Sequence, residues 1–350
     1  MCNIVSTKLY IYPYLLIYIY IIFNFYIIFF NYCILIMIKY NQIVFEGAGI
    51  FGIAYVGAIK VLENKNILKN IKEFAGTSSG AIMATLLSLG YTHDEIYYII
   101  TTIDWENLFD INIGCFSCFP GYGFYKGRKL TNIYKSFFKN KGFSENLTFK
   151  QLYEKTGNKL YMAAVNVNEQ SEVYFSMENF PDLEIWKVLR MSTAFPFVFS
   201  SYKFNNQYYA DGGLIENYPI EVFNNSQTVI GLKIISDKEK QNNVVKNVIT
   251  YSEHVILCMM KDRDSCKDHP YKDKTILIEL DTGGLLTSIM NIGKTKESNH
   301  YYQIGVQAAK DFLINHYTHH PCKITGNSIN SLSEQDKSSK LSGNSGNSVN

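Results

Sequence analysis

Glu73-Phe74-Ala75-Gly76-Thr77-Ser78-Ser79-Gly80-Ala81 decides the fold. A short apolar run enters Gly76, and residues 81–89 continue as a helix-length apolar stretch that Gly90 stops. The segment therefore reads as strand, sharp turn and helix, with Ser78 at the centre of Gly-x-Ser-x-Gly. A serine at such a tip is driven into a strained backbone conformation, and Gly76 and Gly80 leave room for the turn. Its Oγ stands clear of the sheet at a helix N-terminus, whose dipole favours the anion that forms there. The same five residues also fit a plain helix N-cap, with Thr77 or Ser78 satisfying backbone N–H groups. Ser79 misses the central position and reads as structural.

Outward from this turn, strands and helices alternate. Residues 42–46 predict a short buried strand, and residues 53–65 a helix packed on Ala54, Gly57 and Ala58. Thr92-His93-Asp94-Glu95 is a capping box that opens another helix, with His93 at a solvated start. Further strands are predicted at residues 159–167, 172–176, 228–235 and 275–280. Helices are predicted at 127–139, 148–155, 182–191, 246–260 and 301–314. The alternation points to an α/β layered domain with a mostly parallel sheet.

Composition sets bounds on function. Net charge is +2 and only Arg128, Arg190 and Arg263 supplement the lysines, so no nucleic-acid partner is expected. Seven cysteines form no regular framework, which argues against a disulfide-stapled fold. Cys115-x-x-Cys118 has no second pair at zinc spacing, and no metal or cofactor is expected. Residues 9–38 carry no charge and are long enough to span a bilayer as a helix. They read as a membrane anchor, or as an extension that a start at Met37 would remove. Aromatic residues crowd 105–125, as a lid, an interfacial loop or ordinary core. The lysines from Lys60 to Lys72 suit an anionic surface or a solvated helix face. The expected division is a hydrophobic segment at 1–39, a catalytic domain at 40–323 and a disordered Ser/Asn-rich tail at 324–350.

Glu46-Gly47-Ala48-Gly49-Ile50-Phe51-Gly52 follows the first strand and opens a helix. It satisfies Gly-x-Gly-x-x-Gly, but the acidic residue a dinucleotide ribose needs at the end of the second strand is missing. The N–H groups of Gly47, Ala48 and Gly49 at a helix N-terminus suit an oxyanion hole instead. Ala210-Asp211-Gly212-Gly213, taken alone, is a turn.

In that order, the glycine loop, the serine turn and Asp211-Gly212-Gly213 resemble the patatin-like phospholipase family. So do Gly123-Phe124-Tyr125-Lys126-Gly127, Leu147-Thr148-Phe149-Lys150-Gln151-Leu152 and Arg190-Met191-Ser192-Thr193-Ala194-Phe195-Pro196. The resemblance covers roughly residues 40–313. It implies a three-layer fold with a mostly parallel central sheet flanked by helices. It also implies a Ser78–Asp211 dyad without histidine: Ser78 attacks a lipid ester, Asp211 takes the proton, and water releases the fatty acid. Gly52, Gly76, Gly80, Gly212 and Gly213 are the motif glycines. Phospholipid or another lipid ester would be the substrate and a membrane surface the setting, with an activator left open. Two positions depart from the family pattern: Ala48 replaces a glycine, and Phe51 a basic residue, which removes a charge near the site. A conventional triad with a late histidine, and a catalytically impaired membrane-associated binding protein of the same fold, are the competing readings.

Overall fold

A computed structural model describes residues 18–23, 40–103, 122–223, 226–236, 251, 255, 271–280 and 295–319. Its strands are β1 (Gln42–Phe45), β2 (Glu73–Thr77), β3 (Gly123–Tyr125), β4 (Lys159–Asn166), β5 (Ser171–Phe175), β6 (Phe197–Phe199), β7 (Tyr202–Phe204), β8 (Gln207–Asp211), β9 (Val229–Ser236) and β10 (Thr275–Leu280). The helices are α1 (Ile53–Asn64), α2 (Ser79–Ser88), α3 (His93–Thr102), α4 (Arg128–Asn140), α5 (Phe149–Thr156), α6 (Ile185–Ser192) and α7 (Thr295–His319).

Eight strands form the main sheet in the order β10-β9-β1-β2-β4-β8-β7, with β5 also on β4. The run from β10 to β4 is parallel, while β5, β7 and β8 join antiparallel. Side chains alternate between faces along each strand. Ile43, Phe45 and Phe74 accordingly enter the large helix-covered core, while Val44 and Ala75 pack with Tyr218, Ile220 and Phe223 on the other face. The sheet is thus buried on both sides, which is what near-continuous apolar strands require. Each fully buried large side chain, such as Phe45 or Tyr55, contributes roughly 1.5–3 kcal/mol.

The packing of α1 and α7 follows from small residues. A Cβ on Gly57 would lie 2.0 Å from the Tyr302 carbonyl oxygen, and one on Gly305 would lie 1.9 Å from that of Ala54. The predicted small face of α1 is therefore the seat of the C-terminal helix. The expected capping box is present: Thr92 and Glu95 exchange side-chain and backbone bonds at the start of α3. His93 differs from its expected solvated place. It is buried, with Nε2 2.9 Å from the Tyr302 hydroxyl and Nδ1 2.9 Å from Asp94.

Strand β4 determines where the motifs meet. Its partner β5 pairs with Met162 through Asn166 along one edge. Strands β2 and β8 must then share the other edge. On that edge Ala163 pairs with Thr77, and the next residue, Ala164, pairs with Asp211. Residues 78 and 211, 133 positions apart in sequence, arrive at neighbouring places.

Several expectations lie outside the described residues: the tail, both cysteines of the 115–118 pair, most of the aromatic 105–125 stretch, and the 246–260 helix apart from Tyr251 and Val255, which are helical. Of the apolar N-terminal run only residues 18–23 are described, as exposed helix. Among the described residues no helix is long and apolar enough to cross a membrane.

Candidate active site

Ser78 lies between β2 and α2 with φ 53° and ψ −122°. A non-glycine residue held there costs roughly 1–3 kcal/mol and persists only where its surroundings enforce it. Those surroundings are backbone at close range. A Cβ on Gly76 would lie 2.3 Å from the Gly80 carbonyl oxygen, and one on Gly80 would lie 2.4 Å from that of Phe45. Only hydrogen at both positions lets the first turn of α2 lie against β1 and β2.

The Ser78 hydroxyl donates to Asp211 Oδ2 at 2.6 Å. Asp211 Oδ1 accepts the Gly213 N–H at 2.8 Å, and the Asp211 N–H donates to the Ala194 carbonyl at 3.0 Å. Gly212 must be small, because a Cβ there would lie 2.6 Å from the Ala163 carbonyl oxygen. Asp211 is buried whereas Ser78 is half-buried. Burial pushes the Asp211 carboxyl up to about 6, against the opposing pull of the bonds from Ser78 and Gly213. The pair can pass a proton from hydroxyl to carboxylate without a third group.

The glycine loop adjoins the same turn: a Cβ on Gly47 would lie 3.4 Å from Ser78 Cβ, and one on Gly52 3.6 Å from Ser79 Cβ. Its three expected donors are not equivalent. The Gly47 N–H donates to the Asn217 carbonyl at 2.9 Å, and the Ala48 N–H to Ser79 Oγ at 2.9 Å. Gly49, at φ +52°, keeps an N–H with no acceptor among the described residues. Phe51 is buried, its ring edge-on to Tyr301 at 5.3 Å, so this departure from the family pattern builds the contact with α7.

Three supporting groups escaped the sequence reading. Ser192 Oγ accepts the Ser78 N–H at 2.9 Å. Asn217 Nδ2 donates to the Gly47 carbonyl at 3.0 Å. Glu46, directly before the loop, is buried with Lys233: Oε1 meets Lys233 Nζ at 2.9 Å and Oε2 accepts the Ile234 N–H at 2.8 Å. A lone lysine inside the apolar strand Val229–Ser236 was the available signal, because a buried lysine calls for a partner. Among the described residues no histidine contacts Ser78 or Asp211. His300 and His316 on α7 pack against Tyr301 and Phe312, and His254, His269 and His320 lie outside the described residues.

A strained serine between strand and helix, on an α/β sheet covered on both faces, has the geometry of a nucleophile elbow. A family model, Patatin-like phospholipase, matches residues 43–224, more than half of the sequence, and the chain belongs to that family. It is similar to the uncharacterized protein R571 of Acanthamoeba polyphaga mimivirus, at 29% identity over 80% of this chain and 96% of that one. It is also similar to the probable lipid hydrolase 463L of Invertebrate iridescent virus 6, at 34% identity over 52% of this chain and 63% of the other. Among solved structures, VipD from Legionella pneumophila has a like fold, with TM-score 0.58 and 17% identity over 79% of this chain and 67% of that one.

Proposed function

We propose that this protein is a lipid acyl hydrolase that cleaves fatty-acid esters through Ser78 and Asp211. The observation that carries the reading is the 2.6 Å bond between a strained, half-buried serine and a buried carboxylate. Ser78 Oγ attacks the ester carbonyl while Asp211 accepts its proton. Asp211 passes that proton to the leaving alcohol, which departs and leaves an acyl group on Ser78. Asp211, ionised again, takes a proton from water as it attacks the acyl carbon and returns that proton to Ser78 Oγ as the fatty acid leaves. The developing oxyanion has the Gly49 N–H and the N-terminal dipole of α2 as stabilisers. Gly47 and Ala48, whose N–H groups are engaged, hold the loop in shape. The catalytic unit is taken as residues 40–323, acting at a membrane surface on phospholipid or neutral lipid.

A second reading has one observation in its favour. With two of three loop amides already bonded, the fold could serve as a lipid-binding module of low activity. A fluorogenic lipid ester assay on wild type, Ser78→Ala and Asp211→Asn separates the two. Turnover abolished by both changes supports the enzyme; turnover that survives Ser78→Ala rejects it. Mass spectrometry of a digested lipid extract then identifies the substrate.

A further inference from the structure

The C-terminal end of α6 and the two residues after it touch both members of the pair. Ser192 Oγ accepts the N–H of Ser78, and two residues on, the Ala194 carbonyl accepts the N–H of Asp211. This segment is itself braced. Thr193 Oγ1 accepts the Tyr134 hydroxyl at 3.0 Å and donates to the Leu189 carbonyl at 2.7 Å. Ser192 is fully buried, so its hydroxyl has no water to prefer over the nucleophile's amide.

From this we infer that Ser192 is a positioning residue for the nucleophile, which holds the strained Ser78 backbone so that its hydroxyl faces Asp211. The inference rests on the dyad reading above. Its physical basis is that Gly76 and Gly80 make room for φ 53° at Ser78 but supply no acceptor for its N–H. As the residue before α2 it has no side-chain cap bond, and its N–H would otherwise be an unpaired donor at the helix entrance. A hydroxyl on a separate helix fixes that N–H in direction as well as satisfying it. The bond also assigns the Ser78 N–H a structural acceptor, which leaves oxyanion stabilisation to the glycine loop. Because the same segment carries Ala194, a shift of Ser78 relative to α6 is also a shift relative to Asp211.

The test uses the full chain as wild type, Ser192→Ala and Ser192→Cys. Each is measured for hydrolysis of a fluorogenic fatty-acid ester, for the rate of Ser78 labelling by a fluorophosphonate, and for thermal unfolding. Ser192→Ala is expected to lower kcat about 10- to 100-fold with KM little changed, because a small misplacement of a reacting group costs that much. Labelling should slow in parallel. The acid limb of the pH profile should move upward, because a loosened Ser78 hydroxyl no longer holds down the Asp211 carboxyl. A thiol is a weak acceptor, so Ser192→Cys should fall between the two, and it decides the matter if Ser192→Ala does not fold. A folded Ser192→Ala, or Ser192→Cys in its place, with wild-type kcat and labelling rate overturns the inference while leaving the dyad intact. Wild type that is not labelled at Ser78 overturns the dyad and the inference together.

Discussion

Gly47 and Asn217 exchange two hydrogen bonds, N–H to carbonyl at 2.9 Å and side-chain amide to carbonyl at 3.0 Å. The exchange ties the glycine loop to the segment that follows Asp211, so the two parts of the site move as one. A Cβ on Gly47 would lie 2.4 Å from Asn217 Oδ1 and 3.2 Å from the Thr77 carbonyl oxygen. Gly47→Ala should therefore lower kcat/KM and stability, and Asn217→Ala should lower both by less. In the double variant the side-chain clash is gone, so the losses should fall short of their sum by about 0.5–3 kcal/mol. A double-mutant cycle in urea checks this; strict additivity would mean the two residues are uncoupled.

Asp211 titrates at about 6 because it is buried. As the base it must be ionised, so kcat/KM should fall below that pH with a midpoint near it. A pH–rate profile with its acid limb near the ordinary carboxylate value of 3.8 would remove Asp211 from the base role.

The same shift makes Asp211 a stability liability. Its pKa in the folded state is raised, so the stability linked to its protonated form is fully present below about pH 4 and lost as pH rises through about 6. Asp211→Asn, inactive but uncharged, should be the more stable protein at pH 8 by up to roughly 3 kcal/mol. The gain should disappear near pH 4. Denaturant titrations of both proteins at the two pH values measure it, and equal stability at pH 8 would count against the burial of a charge.

How much of this was legible depends on whether the cause was local. The elbow was legible because Gly76, Ser78 and Gly80 answer to a turn that forms within five residues. The box at Thr92 and Glu95 was legible for the same reason. The β7–β8 hairpin was missed although Asn205 and Asn206, both at positive φ, mark its turn, because the aromatic bias of the sequence hid the alternation around them. Asp211 could be read only through the family resemblance: the register that sets it beside Thr77 belongs to β4, which carries no sign of it. Ser192 and Asn217 contribute through partners more than a hundred residues away, and no spacing encodes that. The division of labour among the loop amides was equally hidden, since Ser79 and Asn217 decide it.

Glu46 and Lys233 form an ion pair with almost no solvent contact at the base of the glycine loop. Removing one partner from such a pair leaves an uncompensated charge, at a cost of about 3–5 kcal/mol. Glu46→Gln should therefore lower the melting temperature sharply, and Lys233→Met alone should do likewise. Together, Glu46→Gln and Lys233→Met leave no buried charge and should recover most of the loss, because the Gln carbonyl can still accept the Ile234 N–H. If the pair acts only on stability, the double variant should also regain its turnover. If turnover stays low while the melting temperature recovers, the pair additionally sets the height of the loop beside Ser78.

Phe51 gives the sharpest contrast with the family pattern, because a basic residue there would have to occupy the place of a core ring. Its ring packs edge-on against Tyr301, on the helix that also seats against Gly57. Phe51→Lys should bury an ammonium among apolar neighbours, and an unpaired buried charge is expensive. The expected result is a marked fall in melting temperature with no gain in turnover on anionic lipid. Phe51→Leu, which keeps an apolar side chain, should lose far less. The pair of melting curves decides between core and site: if Phe51→Lys is as stable as wild type and turns over anionic lipid faster, position 51 faces the substrate, and its neighbour Tyr301 is the wall of a binding site.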